Sequence, residues 1–384
     1  MHEDLQWERS RGSTSSWPPL IYNGKLMKGS FGGEFGVSGF FDAINLDGEP
    51  EWRVNMTPAD QWVGESWKHG GGTAWAAGAI DPENEIVIVP SANPGPWYGT
   101  PRPGWNQYSG GKVAVDIETG EYRWHYQDAP HEWWDYDSPS APLVYTAEVD
   151  GEERRLVSWA PKTGWVHTVD AETGELVQRS EEYIDHLNMW SLPPKDDLES
   201  SPWIIPGTSG GTNREPSSYD PESRTIIVKG TSQPHHFSWT ETEYQPGGRY
   251  LGMTTEGIRS PEDLEAYDQD EIPDEWGGNF GNTTAIDPVT GEVKWQDWIS
   301  DARSYSGSLT TAGGVTLTGH SNGEVVVYDT ETGDRLVTDD VGVGVDSGPI
   351  AWHDPHEEKH YMMINAGGRR AEPGNVISVY SLDA

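Results

Sequence analysis

Cysteine is absent from the 384-residue sequence. This absence excludes disulfides, thiolate metal sites and cysteine nucleophiles. Long apolar runs are absent too, because none reaches the ~18 residues of a membrane-spanning helix. Residues 1–11 are charged and lack the apolar core of a secretory signal, so we expect no signal peptide in the chain as given. The sequence also has no Gly-x-x-x-x-Gly-Lys phosphate loop. It therefore gives no support for an enzyme that relies on this motif.

Positive charge is scarce. Lys and Arg number 25 against 63 Asp and Glu, which gives a formal net charge of −38. The acidic residues are spread along the chain, so nucleic acid is an unfavourable partner. Because aromatic residues make up 11% of the chain, we interpret the charge as the surface of a folded protein and not as disorder. Such a surface is typical of a salt-adapted source, since salt screens the self-repulsion.

A short plan recurs along the chain: a strand, an Asp, a tight turn closed by Thr-Gly, and a second strand. Glycine supplies the positive φ that such a turn needs, and the Asp can accept hydrogen bonds from turn amides. Copies lie at residues 114–124, 168–178, 285–295 and 327–337, with a shorter one at 43–52. Each copy is predicted to be a β-hairpin. No convincing amphipathic helix is present.

A second set of strands separates these hairpins, at residues 79–90, 218–230 and 351–368. Two hairpins per unit predict a four-stranded sheet, and recurring units of this length are typical of a β-propeller. We therefore expect an all-β fold, a single domain over residues 1–384 with about five to six blades. A sandwich or β-solenoid is the alternative. Trp52, Trp124 and Trp295 are expected to pack between neighbouring blades. Residues 181–207 and 233–282 interrupt the pattern and are predicted to be insert loops.

The stretch His-Glu-Trp-Trp-Asp-Tyr-Asp at residues 131–137 places two carboxylates among aromatic rings. If the stretch is extended, Asp135 and Asp137 point to the same side. Carboxylates that close need a cation or a proton between them. The alternative is a solvated acidic turn.

Three histidines form a rival candidate for a metal site. His353, His356 and His360 are close in sequence, and imidazoles suit Zn²⁺ or similar ions. Their stretch nevertheless has the pattern of a hairpin turn at the surface, which is the interpretation we favour.

Several glycine-rich and aromatic motifs are too specific to be repeats of a scaffold. In order, they are GGEFGVSGF (32–40), GGGTAW (70–75), SANPGPW (91–97), APHEWWDYD (129–137), APKTGWVHTVDAETGEL (160–176), GGTN (210–213) and SLTTAGGVTLTGHSNGEVVVYDTETG (308–333). This series resembles the quinoprotein alcohol dehydrogenases, eight-bladed propellers that bind pyrroloquinoline quinone (PQQ) and a metal. The resemblance covers nearly the whole chain.

The resemblance implies a metal site and a catalytic base. Glu34 and Asn93 correspond to metal ligands and offer the hard oxygens that Ca²⁺ requires; a charged turn residue and an Asn-Pro turn are the alternatives. Asp135 corresponds to the base that takes the hydroxyl proton, next to the metal. Asp137 is the position at which an Asp marks lanthanide use in methanol dehydrogenases, although sugar-oxidising members have similar runs.

The resemblance also implies a cofactor pocket. Trp75 would stack on the quinone and Thr73 would bond a cofactor carboxylate, whereas a lone Trp in a propeller otherwise belongs to the core. Lys162 would lie beside the quinone oxygens, or else be an ordinary turn lysine. Asn213 is a further candidate for a hydrogen bond to the cofactor.

The implied function is oxidation of an alcohol or sugar by a PQQ- and metal-dependent dehydrogenase, with electrons passed to a cytochrome or quinone. Family members are longer, so we expect an N-terminally truncated chain whose missing blades come from another polypeptide, or a smaller closed propeller. The family usually works outside the cytoplasmic membrane, in the periplasm. Ser38, Arg214 and Tyr305 depart from the family pattern. A non-enzymatic or inactive propeller, a truncated fragment or an assembly scaffold, is the alternative.

Overall fold

The computed structural model describes residues 17–192, 201–367 and 374–382. The stretch considered for a signal sequence, residues 193–200 of the predicted 181–207 insert loop, and residue 368 of the last strand segment lie outside these ranges.

The Asp of each repeat organises the turn that follows it. Asp116 Oδ1 accepts hydrogen bonds from the amides of Glu118 (3.0 Å) and Thr119 (2.9 Å). Gly120 has φ +72° and donates its N–H to the Asp116 carbonyl at 2.9 Å. The same pattern recurs at Asp170, Asp287 and Asp329. A register shift just before the turn accompanies each copy. The predicted hairpins are therefore confirmed.

The first twelve strands form three four-stranded antiparallel sheets, each in sequence order. The first sheet contains β1 (Leu20–Tyr22), β2 (Lys25–Gly29), β3 (Phe40–Asn45) and β4 (Pro50–Asn55). The second contains β5 (Ala79–Asp81), β6 (Ile86–Ser91), β7 (Gly111–Asp116) and β8 (Tyr122–Gln127). The third contains β9 (Leu143–Val149), β10 (Glu152–Trp159), β11 (His167–Asp170) and β12 (Leu176–Arg179).

The next six strands are β13 (Ser218–Asp220), β14 (Thr225–Thr231), β15 (His235–Trp239), β16 (Met253–Gly257), β17 (Gly281–Ile286) and β18 (Val293–Ile299). The fourth sheet has the order β13-β14-β17-β18, and β15 and β16 form a separate hairpin. The predicted insert at 233–282 thus holds that hairpin, the helix α1 (Pro261–Leu264) and a 3-10 turn (Gln269–Glu271). Ser260 caps α1 by accepting the Asp263 N–H.

The fifth sheet contains β19 (Ser308–Thr310), β20 (Val315–Gly319), β21 (Glu324–Asp329) and β22 (Arg335–Asp340). A three-stranded sheet follows, with β23 (Ile350–Asp354), β24 (Lys359–Ala366) and β25 (Val376–Leu382). In the described part of the chain, no helix has the length and apolar composition needed to cross a membrane.

Tryptophan side chains join consecutive sheets. Trp52 on β4 donates its Nε1–H to the carbonyl of Ile117, in a turn of the second sheet, at 3.0 Å. Its ring lies over Gly120, where a Cβ would come within 2.7 Å of it. The same contact runs from Trp124 to Ala171 and from Trp295 to Thr330, each at 2.9 Å. The predicted packing of these three rings is confirmed, and the turn glycines make room for them.

Apolar side chains fill the spaces between consecutive sheets. Strands β6 and β14 are buried at every residue, so both of their faces contact protein. One cluster joins the first two sheets, and others join the second to the third, the third to the fourth, and the fifth to the last. Face-to-face packing of successive four-stranded antiparallel sheets is the arrangement of propeller blades. The all-β propeller predicted from the repeats is confirmed.

Candidate cofactor and metal site

The glycine-rich motifs at 32–40, 70–75 and 91–97 lie side by side. Gly71 forms isolated β-bridges with Ser38 on one side and Pro94 on the other. Gly71 has φ +69°, and a Cβ on it would come within 2.6 Å of the Gly95 nitrogen. Only glycine fits there, because both the backbone conformation and the close approach exclude a side chain. The three motifs therefore meet through their backbones.

Further backbone hydrogen bonds connect these motifs to the motifs at 129–137 and 160–176. Ser138 donates its N–H to the Ser91 carbonyl at 3.3 Å, and Lys162 donates to the Asp137 carbonyl at 3.3 Å. Gly211 in turn donates to the Lys162 carbonyl at 2.7 Å. Segments from four different sheet connections are thus hydrogen-bonded in one continuous series around the candidate side chains.

Asp137 is the centre of the side-chain contacts and is almost fully buried. Its Oδ1 accepts the backbone N–H of Asn93 at 2.9 Å and the indole N–H of Trp75 at 3.5 Å. Its Oδ2 lies 2.7 Å from Lys162 Nζ. Three residues singled out from different motifs therefore touch one carboxylate.

Asp135 shares the same ammonium group. Lys162 Nζ lies 3.0 Å from Asp135 Oδ2 and donates to the Asp135 carbonyl at 2.8 Å. Burial raises the pKa of Asp135 well above its ordinary value; Lys162 opposes this shift, whereas Asp137 and Glu34 add to it. Burial acts to lower the pKa of Lys162, but the two carboxylates outweigh it and raise it overall. The raised pKa of Lys162 agrees with an ammonium group that both carboxylates share.

Glu34 lies in a 3-10 turn (Gly33–Phe35). Its carbonyl accepts the Tyr250 N–H at 2.7 Å, which fastens the turn to the segment after β15. Burial raises the pKa of Glu34, and the charge of Asp137 adds to the shift, while Lys162 and Arg249 oppose it. Glu34 therefore belongs to the same electrostatic cluster as the two aspartates.

Thr73 and Asn213 are less directly connected to the cluster. Thr73 is buried, and its carbonyl accepts the N–H of Ala92 at 3.0 Å. Asn213 lies two residues after Gly211 and donates its N–H to Glu215 Oε2 at 2.6 Å. Its side-chain Oδ1 is buried and has no hydrogen-bond partner among the described residues, so it can accept a bond from a ligand.

The cluster offers oxygen donors of the kind that a metal ion needs. Asn93 Oδ1 is buried and, within the described ranges, also lacks a hydrogen-bond partner. Asn93 bonds Asp137 through its backbone N–H, and an unpartnered amide oxygen on this residue, together with the Asp135 and Asp137 carboxylates, offers the hard oxygens that Ca²⁺ and lanthanide ions prefer. No three His, Cys, Asp or Glu side chains of residues 17–192, 201–367 and 374–382 form a ready-made metal cluster. Lys162 instead lies between the two aspartates. The residues fit a cation in donor type.

The rival histidine site has a simple structural explanation. His353 on β23 and His360 on β24 are paired across the hairpin, and His356 lies in the turn between them, where its N–H bonds Asp354 at 2.8 Å. The predicted hairpin turn is confirmed.

Two of the positions that depart from the family pattern lie together. The Arg214 guanidinium is 5.7 Å from the centre of the Tyr305 ring, and Arg303 approaches the same ring at 5.0 Å. Both distances are within the range of cation–π attraction. Ser38, the third departure, bonds Thr57 through their hydroxyls at 2.5 Å.

Sequence reasoning missed three buried charged residues beside the cluster. Arg102 and Glu132 are fully buried, and Glu132 belongs to the 131–137 stretch. Lys112 is also buried and donates from Nζ to the Ser138 carbonyl and hydroxyl at 2.5 and 2.7 Å. The sequence could have indicated Glu132, because a carboxylate two residues before Trp134 can accept the backbone N–H of that residue. Arg102, between two prolines, and Lys112, within a strand, gave none.

The chain is similar to known proteins over most of its length. The family model described as PQQ glucose/ethanol/alcohol dehydrogenase, β-propeller domain, matches residues 1–184 and 186–362. Among curated relatives, quinoprotein alcohol dehydrogenase PedH of Pseudomonas putida is 27% identical over 95% of this chain and 65% of its own length. Methanol dehydrogenase [cytochrome c] subunit 1 of Paracoccus denitrificans is 28% identical over 93% and 60%.

Solved structures show the same relationship. A europium-containing methanol dehydrogenase superposes with a TM-score of 0.83 at 25% identity, over 93% of this chain and 66% of that one. The quinohemoprotein alcohol dehydrogenase of Comamonas testosteroni superposes with a TM-score of 0.80 at 25% identity, over 96% and 60%. The chain spans somewhat less than two thirds of the length of the curated relatives. It belongs to the family of PQQ-dependent glucose, ethanol and alcohol dehydrogenases with a β-propeller fold.

Proposed function

We propose that this protein is a PQQ- and metal-dependent dehydrogenase that oxidises the hydroxyl group of an alcohol or a sugar. The observation that carries the proposal is the set of contacts around Asp137, which brings Trp75, Asn93 and Lys162 onto one carboxylate. These residue types supply a flat ring, an amide oxygen and a cation, the groups that a quinone and a hard metal ion need.

The metal would be held by oxygens of Glu34, Asn93, Asp135 and Asp137. Asn93 offers a buried amide oxygen without a partner in the described chain. Each added carboxylate increases the negative charge at the site, and a trivalent ion compensates more of it than Ca²⁺ does. Asp137 therefore supports a lanthanide as well as Ca²⁺. The name of the europium-containing relative agrees with this possibility.

The cofactor would be held by Thr73, Trp75, Lys162 and Asn213. PQQ, when bound, supplies the acceptor for the hydride that leaves the substrate carbon. The Lys162 ammonium is fixed by two carboxylates and would stabilise negative charge on nearby oxygens. The buried Oδ1 of Asn213 would accept one hydrogen bond from the ligand.

Asp135 would take the hydroxyl proton of the substrate. Its pKa is raised by burial, and the adjacent Lys162 ammonium acts against this shift. A metal ion bound at the adjacent oxygens would lower this pKa further and favour the ionised carboxylate. Asp135 would then be an ionised base, held in place by Lys162 through both its carbonyl and its carboxylate.

The test is turnover of the purified chain with PQQ, Ca²⁺ or La³⁺, ethanol and an artificial electron-acceptor dye. Asp135→Asn keeps the size of the side chain but removes the base, so it should bind PQQ and turn over about 10²–10⁴-fold more slowly. Wild-type turnover by Asp135→Asn would contradict its role as base. Failure of the protein to bind PQQ with any metal, even in the presence of the polypeptide proposed to supply further blades, would contradict the function and favour an assembly scaffold.

A cytochrome or quinone is proposed as the electron acceptor, in line with the cytochrome c named for one relative. The family resemblance also leads us to propose that the protein works outside the cytoplasmic membrane. Cell fractionation tests this location, and protein confined to the cytosolic fraction would contradict it. Reduction of cytochrome c by the loaded enzyme and ethanol tests the acceptor.

We further propose that another polypeptide supplies additional blades. The last sheet exposes a row of apolar side chains on one face, where Ile350 pairs with Met363 and Met363 with Val379. Ile350, Trp352, Ile377 and Val379 are 40–64% exposed, whereas the space between the first and second sheets is filled by apolar side chains. A further sheet would cover this face in the same way. Full activity of the purified chain alone would contradict the need for such a partner.

A further inference from the structure

Two buried charged residues hold the loop that carries the proposed base through hydrogen bonds, one from within the loop and one from a neighbouring segment. Arg102 and Glu132 are both fully buried, in a region packed with aromatic rings such as Trp133, Trp134 and Tyr136. Neither has a role in the metal or cofactor set proposed for this protein. Their hydrogen bonds show what they hold.

Glu132 holds the backbone on both sides of Asp135. Its Oε2 accepts the N–H of Trp134 at 2.8 Å and the N–H of Tyr136 at 3.0 Å. Asp135 itself has φ +65°, a left-handed conformation that is costly for a residue with a side chain. Lys162 takes the Asp135 carbonyl on the remaining side. The unusual backbone at Asp135 is therefore fixed before, at and after the residue.

Arg102 ties this loop to the segment that carries Asn93. Its Nε donates to the Pro96 carbonyl at 2.6 Å and its Nη2 to the Trp97 carbonyl at 2.8 Å. Nη2 also donates to the carbonyl of Glu132, and Nη1 donates to Asn106 Oδ1 at 2.8 Å. One guanidinium thus joins two segments whose other ends meet at the site.

These hydrogen bonds join the 91–97 segment to the 131–137 segment at two places. At the front, the Asn93 N–H binds the Asp137 carboxylate at 2.9 Å; at the back, Arg102 joins Pro96 to Glu132. Apolar side chains of similar volume often stabilise a protein as well as buried charged groups do, because burying charge is costly. Stability alone therefore does not require charged residues here, whereas a fixed loop geometry does.

We propose that Glu132 and Arg102 are positioning residues that hold Asp135 in the geometry needed to take the substrate proton. This inference rests on the proposed function, because Asp135 is the base in it. The alternative is that the two residues only stabilise the fold. If the two residues position Asp135, a substitution lowers turnover more than an equally destabilising substitution elsewhere does. If they only stabilise the fold, both substitutions affect turnover equally.

The experiment compares Glu132→Ala with the control Asp287→Ala. Asp287 is a buried carboxylate in a turn of the fourth sheet, and it also accepts two backbone N–H groups, from Val289 at 2.9 Å and Thr290 at 3.1 Å, beside an arginine. Both variants should lower the thermal midpoint of unfolding. With PQQ, Ca²⁺ and ethanol, Glu132→Ala should lower kcat by about 100-fold, and Asp287→Ala should leave kcat unchanged.

Two further variants keep the test decisive if Glu132→Ala does not fold. Glu132→Gln keeps one acceptor oxygen for the two amides and should recover most of the kcat. Arg102→Lys keeps the charge but cannot reach four acceptors with one planar group, so it should lower kcat as Glu132→Ala does. Equal kcat in Glu132→Ala and Asp287→Ala, or in Arg102→Lys and wild type, would overturn the proposal.

A measurement that does not need activity separates this proposal from the proposed function. Amide hydrogen exchange at Trp134 and Tyr136 should be slow in the wild type and faster in Glu132→Ala, with no change in Asp287→Ala. Unchanged exchange would overturn the positioning role. Faster exchange in a protein that never turns over ethanol would leave the loop geometry supported and contradict only the dehydrogenase function.

Discussion

Gly174 and Gly48 each precede the returning strand in one of the repeated turns, the turn at Gly48 being one residue shorter. Replacing each by alanine separates the cost of backbone strain from the cost of a lost contact between sheets. Both have positive φ, +72° and +87°, so alanine is strained at either position by roughly 1–2 kcal/mol. At Gly174 the new methyl would come within 2.7 Å of the Trp124 ring, whereas at Gly48 no described atom lies within 4 Å. Only Gly174→Ala therefore disturbs the contact between sheets.

The expected difference follows from the displacement of Trp124. Carbon atoms pack at about 3.5–4.0 Å, so the ring must retreat by about 1 Å. Its hydrogen bond to the Ala171 carbonyl, 2.9 Å long, then weakens, at a cost of about 1 kcal/mol. Overpacking adds about 1–3 kcal/mol. We expect Gly174→Ala to lower the free energy of unfolding by about 3–6 kcal/mol and Gly48→Ala by about 1–2 kcal/mol.

The assay is urea unfolding of both variants and the wild type at one salt concentration, followed by tryptophan fluorescence and circular dichroism. A lower urea midpoint for Gly174→Ala than for Gly48→Ala, with similar slopes, is the expected result. Equal losses would show that the tryptophan contacts between sheets contribute nothing to stability, which would refute the reasoning.

Three further predictions concern charge. Burial lowers the pKa of Lys112 from 10.5 to about 7, so the unfolded state binds more protons than the folded state between these pH values. The free energy of unfolding should therefore rise with pH across that range. Lys112→Met should lack this rise, and equal pH slopes in the variant and the wild type would contradict the prediction. The net charge of −38 should make the thermal midpoint rise between about 0.1 M and 1 M salt, where the Debye length falls from ~10 to ~3 Å; a falling midpoint would contradict salt adaptation. Asp137→Asn should weaken La³⁺ binding more than Ca²⁺ binding in calorimetric titrations, and equal weakening would contradict lanthanide use.

The repeats made the fold predictable. The Asp and Thr-Gly of each hairpin act within four residues, so their turn geometry can be derived from the local sequence, and the terminal tryptophans of three copies dock as expected. The hairpin β15–β16 could not be derived, because residues 233–282 show no clear alternation of polar and apolar residues. The loop between its strands contacts a distant part of the chain, since Tyr250 donates its N–H to the Glu34 carbonyl.

The candidate site was predictable in membership but not in arrangement. The motifs named Trp75, Asn93, Asp135, Asp137 and Lys162, and these residues do meet. Nothing in the local sequence shows that Asp137 is the shared partner, since its contacts come from three separate segments. Arg102 was missed for the same reason, because its role depends on carbonyl groups that only the fold brings together.

In the proposed site, one connected set of residues would hold both cofactor and metal. This arrangement is tested by the affinity for PQQ, measured by quenching of tryptophan fluorescence at increasing Ca²⁺ or La³⁺, in wild type and in Asp137→Ala. PQQ affinity should rise with metal in the wild type, and this dependence should be lost in Asp137→Ala, because Asp137 would bind the metal and contacts Trp75 and Lys162 of the proposed PQQ site. PQQ binding that is absent at every metal concentration, or independent of metal in the wild type, would contradict the claim.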